Sequence, residues 1–361
     1  MKKQLKSPLK IGFMAFMLTL FMVGCSSDDG SVFDTGNTGG GDDGDGEEQT
    51  EEVATIIYDE ATPTNNMVTA SASGEVGTAV PGRVIFTSDA TSQRRMYITQ
   101  NISGQGDMPF NNFNLNDTDL TKVLKADGSI DLDGSNKKEI DFTFNLPVPD
   151  VDNGTIVYSF WTTTGKGDFR DPTKRLALGV GTITVTVGTG TNPTAEVREI
   201  TGVKLFAPAE DGTTKTFFSL LDENVYQINE GPEFRAFWDF GYYYKDNQAS
   251  FASTSTYNVS FGFPVEGLVP DSEEDDAENE TLNEAYFKTS TMVAADFDAV
   301  LLSGALDVIV TSEAQSISAL AVDDVIEFVD NYGKKGLIKI TEIEAGFNTN
   351  DYIVFDVKIQ P

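Results

Sequence analysis

From residue 53 onward the chain is built mostly of short segments in which apolar and polar residues alternate, separated by Gly, Pro, Asn and Asp. Arg83-Val84-Ile85-Phe86, Arg95-Met96-Tyr97-Ile98-Thr99, Ile140-Asp141-Phe142-Thr143-Phe144, Thr155-Ile156-Val157-Tyr158-Ser159-Phe160-Trp161 and Thr182-Ile183-Thr184-Val185-Thr186-Val187 are of this kind. Successive side chains of a strand point to opposite faces, so alternation with period two marks a strand with one face buried. Many such strands with turn residues between them predict a mainly β chain of sandwich-like, immunoglobulin-like architecture. Roughly 310 residues follow residue 52, too many for one small sandwich and natural for two. The run Gly188-Thr189-Gly190-Thr191-Asn192-Pro193-Thr194 reads as a connection, which places a first β-sandwich domain at 53–190, a linker at 191–198 and a second β-rich domain at 199–361.

In the second domain the strand pattern resumes at Val203-Lys204-Leu205-Phe206, Lys215-Thr216-Phe217-Phe218-Ser219-Leu220, Phe234-Arg235-Ala236-Phe237-Trp238-Asp239-Phe240 and Val259-Ser260-Phe261. An acidic run over 271–280 should be an exposed loop. Residues 292–302 carry apolar side chains at helical spacing, with Ser290 or Thr291 as N-cap and Gly304 beyond the end, so the second domain should hold one helix. Strands are expected again at Asp307-Val308-Ile309-Val310, Asp324-Val325-Ile326-Glu327-Phe328-Val329, Leu337-Ile338-Lys339-Ile340 and 352–359. A turn is expected at Asn331-Tyr332-Gly333-Lys334-Lys335-Gly336, its two lysines solvated.

The N-terminal pattern is different. Lys2, Lys3, Lys6 and Lys10 precede an apolar run over 11–23, a basic region followed by a hydrophobic region of signal-peptide length. The run is shorter than the roughly 20 residues a membrane-spanning helix needs. It ends in Met22-Val23-Gly24-Cys25, which resembles a lipobox, and Cys25 is the sole cysteine of the chain. The resemblance implies a signal peptide over 1–24, lipidation of Cys25 and acyl chains as the membrane anchor. Two or more chains give stable anchoring where one is marginal. Ser26-Ser27-Asp28-Asp29-Gly30 follows and resembles the serine-plus-acidic export tag of Bacteroidota surface lipoproteins; the other reading is that it simply begins a linker. Residues 26–52 are nearly devoid of apolar side chains, so 25–52 is expected to be the lipidated cysteine and a disordered acidic tether.

Composition narrows the chemistry. The formal charge is −32, and loss of the four leader lysines takes it to −36. So negative a surface repels phosphate backbones, and nucleic acid is not an expected partner. There is no histidine, and the cysteine is committed to lipid. Ser-His-Asp and Cys-His catalysis, histidine zinc or iron sites and disulfides are therefore excluded. Carboxylate-pair, lysine or tyrosine chemistry survives, and the chain is not expected to be an enzyme.

Candidate contacts lie on two segments. Trp161-Thr162-Thr163-Thr164-Gly165-Lys166-Gly167-Asp168-Phe169-Arg170-Asp171-Pro172 follows a strand with an aromatic residue and with donors and acceptors that suit sugar hydroxyls. The competing reading is that Asp168, Arg170 and Asp171 pair with one another and Trp161 is core. Trp238, Tyr242, Tyr243 and Tyr244 surround Gly241 and could form a carbohydrate or protein platform, although strand alternation should bury about half of them. Asp127-Gly128-Ser129-Ile130-Asp131-Leu132-Asp133-Gly134-Ser135-Asn136 resembles a Ca²⁺ loop, with Asp131 and Asp133 as ligands. In the EF-hand register from Ser129, however, the twelfth position is Ile140 and not Glu, and two Asp-Gly turns account for the run as well.

The N-terminal motif, the two β-domains and the segments at 161–173 and 332–339 are together similar to surface lipoproteins of Bacteroidota, some of which accompany outer-membrane glycan uptake systems of the SusE/SusF kind. That similarity implies an outer-membrane, surface-exposed, lipid-anchored module that binds a glycan or a partner protein without catalysis. The alternative is a structural or assembly lipoprotein of an outer-membrane complex. A carboxylate-based glycan-degrading enzyme is a third reading, for which the sequence singles out no acid pair.

Overall fold

The computed structural model describes residues 54–59, 69–88, 92–112, 114–115, 124–132, 139–164, 169–170, 179–265, 268, 282–346 and 350–361. The segments expected to be signal peptide (1–24) and lipidated tether (25–52) and the acidic run at 271–280 lie outside them.

The period-two segments form strands stacked in pairs of sheets. In the first half β1 (Ala54–Asp59), β3 (Ala79–Thr87), β8 (Glu139–Pro147) and β6 (Asn114–Leu115) make one sheet in the order β1-β3-β8-β6. Against it lies a sheet of β2 (Thr69–Ser73), β10 (Gly181–Val187), β9 (Gly154–Thr163), β4 (Arg95–Ile102) and β5 (Asp107–Pro109), with β7 (Ile130–Asp131) paired to β4. The chain passes back and forth between these two layers, which stack as a β-sandwich. Alternation puts Ile183, Val185 and Val187 of β10 and Val80, Val84 and Phe86 of β3 into the core between them.

The second half repeats the plan. One sheet runs β11 (Arg198–Phe206), β20 (Tyr352–Ile359), β19 (Lys335–Glu344), β18 (Val325–Asp330) and β16 (Ala285–Thr289). Its partner runs β13 (Val225–Gln227), β12 (Lys215–Phe218), β14 (Phe240–Lys245), β15 (Gln248–Ser253) and β17 (Ser316–Leu320). Their shared core is rich in aromatics, among them Phe218, Phe240, Phe251, Phe287 and Phe355. The chain is thus mainly β, in sandwich-like stacks with few helices.

A third core joins the halves. Strand alternation sends Phe218 and Tyr242 into the second sandwich, while their neighbours Phe217 and Tyr243 point the other way. Those outward residues share one buried cluster with Tyr97 and Trp161, from the outer face of the β4–β9 sheet, and with Phe169. Residues 50–361 accordingly form one compact unit. The connection at 191–198 is bonded to both halves: Asn192 Oδ1 accepts from Thr155 N (2.8 Å), and Val197 N donates to Leu301 O (3.0 Å).

Several expected elements come out differently. Phe234-Arg235-Ala236-Phe237 is not strand: Pro232–Phe237 is a 3-10 helix starting at a proline whose fixed φ suits a first helical turn, and the strand begins only at Phe240. Val259-Ser260-Phe261 lies in α1 (Tyr257–Phe261), ended by Gly262 in the left-handed conformation (φ 85°). The helix expected over 292–302 shrinks to α2 (Ala294–Ala299), followed by a 3-10 turn at Ser303–Leu306. Val293 and not Ser290 or Thr291 takes the N-cap position, its N–H bonded to the Asp296 carboxylate (3.1 Å). At the other end Val300 turns extended (ψ 109°), which lets it and Phe297 bury together. Lys358 Nζ then donates to Val300 O (2.8 Å) and Asp298 O (3.2 Å), closing the helix with a cation where the last carbonyls point. Asp307-Val308-Ile309-Val310 forms no strand; only Ile309 is buried.

Candidate functional site

The residues singled out as contacts belong largely to the core between the sandwiches. Trp161, Trp238 and Tyr242 are 0% exposed and Tyr243 5%, so they supply buried area and not a platform. Trp161 stacks on Tyr97 (centroids 5.5 Å, planes 10° apart) and Trp238 on Phe217 (4.8 Å, 8°). Both faces of β9 and β14 are covered, which is why alternation left none of Trp161, Tyr242 and Tyr243 exposed. Tyr244 is half-buried at the edge of the second core. Burial pushes the Tyr242, Tyr243 and Tyr257 hydroxyls up from their ordinary pKa.

Arg170 finds partners on the second sandwich. It crosses from the first sandwich into a socket on the second, where Nη1 reaches both oxygens of the fully buried Asp239 (2.7 and 2.9 Å) and Nη2 donates to Ala236 O (2.6 Å). Its guanidinium lies 4.8 Å from the Tyr332 ring centroid. Asp239 also accepts from Leu220 N (2.6 Å). Burial pushes the Asp239 carboxyl up to about 7 against the downward pull of Arg170. Asp330 beside it is likewise raised by burial, and Lys334 is lowered by burial and by Arg198, so Lys334 is not the solvated turn lysine that the sequence suggests. Asp168 lies outside the described residues.

The Ca²⁺ reading also changes. Asp131 is ion-paired with Lys125 (2.6 Å), and Asp127 Oδ1 accepts from Ser129 N (3.0 Å) and Ser129 Oγ (2.6 Å), so these carboxylates are spent on a turn and a neighbouring cation. Asp133 lies outside the described residues. Among the described residues no group of three or more acidic, histidine or cysteine side chains is placed to hold a metal.

A cleft of about 660 Å³ lies elsewhere, on the second sandwich. Three local structures build it. One wall is the turn after β11, where Thr214 Oγ1 accepts from Ala209 N (2.9 Å) and donates to Ala207 O (2.9 Å). The second wall is the segment 228–235, stitched to that turn by Asn229 N donating to Gly212 O (3.3 Å). Gly212 (φ 69°) is needed there, since a Cβ would meet Ile228 Cβ at 3.3 Å in a backbone shape that disfavours side chains.

The third wall is α1 and its exit loop. Gly262 turns the chain so that Phe261 and Phe263 come to ring centroids 5.2 Å apart, with Phe263 62% exposed. Asn258 Oδ1 accepts from Val265 N (2.9 Å) and Lys245 Nζ donates to Ser260 O (3.1 Å), which pins the loop. Arg235, Asn229, Glu210 and Asp211 face the same space. Asp211 is solvent-exposed, and its hydrogen bonds from Thr213 hold its pKa below the ordinary value. Sequence reasoning passed over this site although Phe261-Gly262-Phe263-Pro264, two aromatics about a glycine, was visible; the cleft partners lie 26 to 55 residues away in the chain.

A second cleft of about 530 Å³ opens between the sandwiches. Asn111 and Asp127 line it from the first, and Lys215, Asp222, Tyr226 and Phe234 from the second. Tyr226 and Phe234 lie 5.5 Å apart. The Tyr226 hydroxyl donates to Asp222, and burial with that neighbouring carboxylate raises its pKa strongly. No family model, curated protein or solved structure matches this chain.

Proposed function

We propose that this protein is a lipid-anchored module of the outer membrane, exposed at the cell surface, that binds a glycan without transforming it. The observation that carries the reading is the 660 Å³ cleft in which the exposed ring of Phe263 and the Phe261 ring stand opposite Arg235, Asn229 and Asp211. Sugar rings offer an apolar face to an aromatic side chain and hydroxyls to amides, guanidinium and carboxylate. Pockets of a few hundred Å³ with an apolar lining and a few placed polar groups are where such ligands bind. The loops are fixed by their own hydrogen bonds, so little ordering cost is left for the ligand to meet.

The absence of catalysis in this reading is supported by what the cleft acids do. Asp222 accepts from Asn224 Nδ2 (3.0 Å), Glu230 from Gln227 N (3.1 Å) and Asp211 from Thr213 Oγ1 (2.7 Å), so these three carboxylates each hold a loop. Membrane attachment rests on Cys25 and its flanking residues. The test is a glycan microarray probed with the full chain and with Phe263→Ala. The wild type should mark a related set of glycans and the variant should lose them; a blank array for the wild type refutes the reading.

A second reading, attachment to a partner protein of an outer-membrane complex, is favoured by the exposed Val293, Leu301, Val308 and Val310. It is tested by co-purification from detergent-solubilised outer membranes with and without Val308→Ser and Val310→Ser.

A further inference from the structure

The two clefts share one wall. Residues 225–237 run between them, with Ile228, Asn229 and Arg235 turned to the cleft on the second sandwich and Tyr226, Glu230 and Phe234 to the cleft between the sandwiches. Each side thus carries the same set of chemical groups. Phe261 with Phe263, Asn229 and Arg235 stand on one side; Tyr226 with Phe234, Asn111 and Lys215 stand on the other.

The wall is held from beneath. Phe237 reaches Phe169 of the first sandwich (5.9 Å), and Arg170 donates to Ala236 O (2.6 Å), so the spacing of the clefts is set by the junction of the sandwiches. Carboxylates outnumber cations in both, with Glu210 and Asp211 against Arg235 and with Asp127, Asp222 and Glu230 against Lys215. An acidic sugar would meet net repulsion there.

From this juxtaposition, and resting on the glycan reading above, we infer that the clefts are successive subsites for one extended, uncharged oligosaccharide that crosses the 225–237 wall and touches both sandwiches. Binding at the second subsite becomes intramolecular once the first is filled, so affinity rises with chain length until both are occupied.

Cello-, xylo-, malto- and laminari-oligosaccharides, each as disaccharide, tetrasaccharide and hexasaccharide, are titrated calorimetrically into the full chain in a non-glycosidic detergent. Lys215→Ala and Asn111→Ala serve as variants of the inter-sandwich cleft. Both side chains are exposed, and unchanged tryptophan emission verifies the fold. At least one series should gain about tenfold in affinity from disaccharide to hexasaccharide. The two variants should weaken the hexasaccharide by about fivefold while leaving the disaccharide unchanged, and Phe263→Ala should weaken both. Binding that is independent of length, or variants that match wild type on the hexasaccharide, overturns the two-subsite inference and leaves the glycan reading standing. If none of the series binds, both fall.

Discussion

Replacing Arg170 by methionine leaves the stem volume in place and removes the only cation paired with Asp239 among the described contacts. The Asp239 carboxylate is 0% exposed, and its remaining bond comes from Leu220 N (2.6 Å). Breaking a buried pair from one side costs about 3–5 kcal/mol, because the partner charge is left in low dielectric. The carbonyl of Ala236 is not orphaned, since Asn283 Nδ2 still donates to it (2.7 Å). The loss therefore falls on the buried carboxyl of Asp239, with a smaller share on its neighbour Asp330, and pH exposes it. Asp239 already titrates near 7 in the folded protein, above the unfolded value of about 3.9. Over that window the folded state holds a proton that the unfolded state has lost, so this group's contribution to stability falls as pH rises. Without Arg170 the folded pKa moves higher still, and the window of loss extends upward.

The difference between wild type and Arg170→Met should thus be flat below about pH 6 and grow above pH 7 by up to about 1.4 kcal/mol per pH unit. Urea unfolding followed by tryptophan emission reports it directly, because Trp161 and Trp238, the two tryptophans of the chain, both sit in the core that joins the sandwiches. Adding Asp239→Asn keeps an acceptor for Leu220 N and removes the stranded charge, so the double variant should recover most of the stability and lose most of the pH dependence, the remainder coming from Asp330. A single variant that costs under about 1 kcal/mol at pH 8, with no dependence on pH, would show that Arg170 does not neutralise Asp239.

Three further outcomes are expected. Cys25→Ala should release the protein from membranes in fractionation and abolish palmitate labelling, with the unfolding curve of the remainder unchanged. Gly241→Ala places a methyl group 2.6 Å from Phe217 Cε1 and 2.7 Å from Tyr257 Cε2 inside a packed core, and should cost about 1–3 kcal/mol or more in denaturant titration. Lys358→Met removes the charged donor from Val300 O and Asp298 O and should cost about 2–3 kcal/mol, with hydrogen exchange accelerated first at α2.

What the sequence determined by itself is the identity and the faces of the strands. Thr182-Ile183-Thr184-Val185-Thr186-Val187 alternates because one side meets the core and the other meets water, and that local period survives into β10 without reference to the rest of the chain. The turn residues between such runs likewise announced a mainly β sandwich. Where the environment was not local, the pattern did not decide. Trp161, Trp238 and Tyr243 read from the sequence either as contacts or as core; the outward faces of two sheets meet each other, and only long-range packing can decide that an outward face is dry. The same holds for Arg170, whose partner Asp239 is 69 residues away and on the other sandwich. Short helices fell below the resolving power of periodicity: α1 and α2 span five and six residues, less than two turns, and were set by Gly262 and by Lys358. The clefts were hidden for the same reason, since their walls come from turns and loops that tertiary contacts bring together.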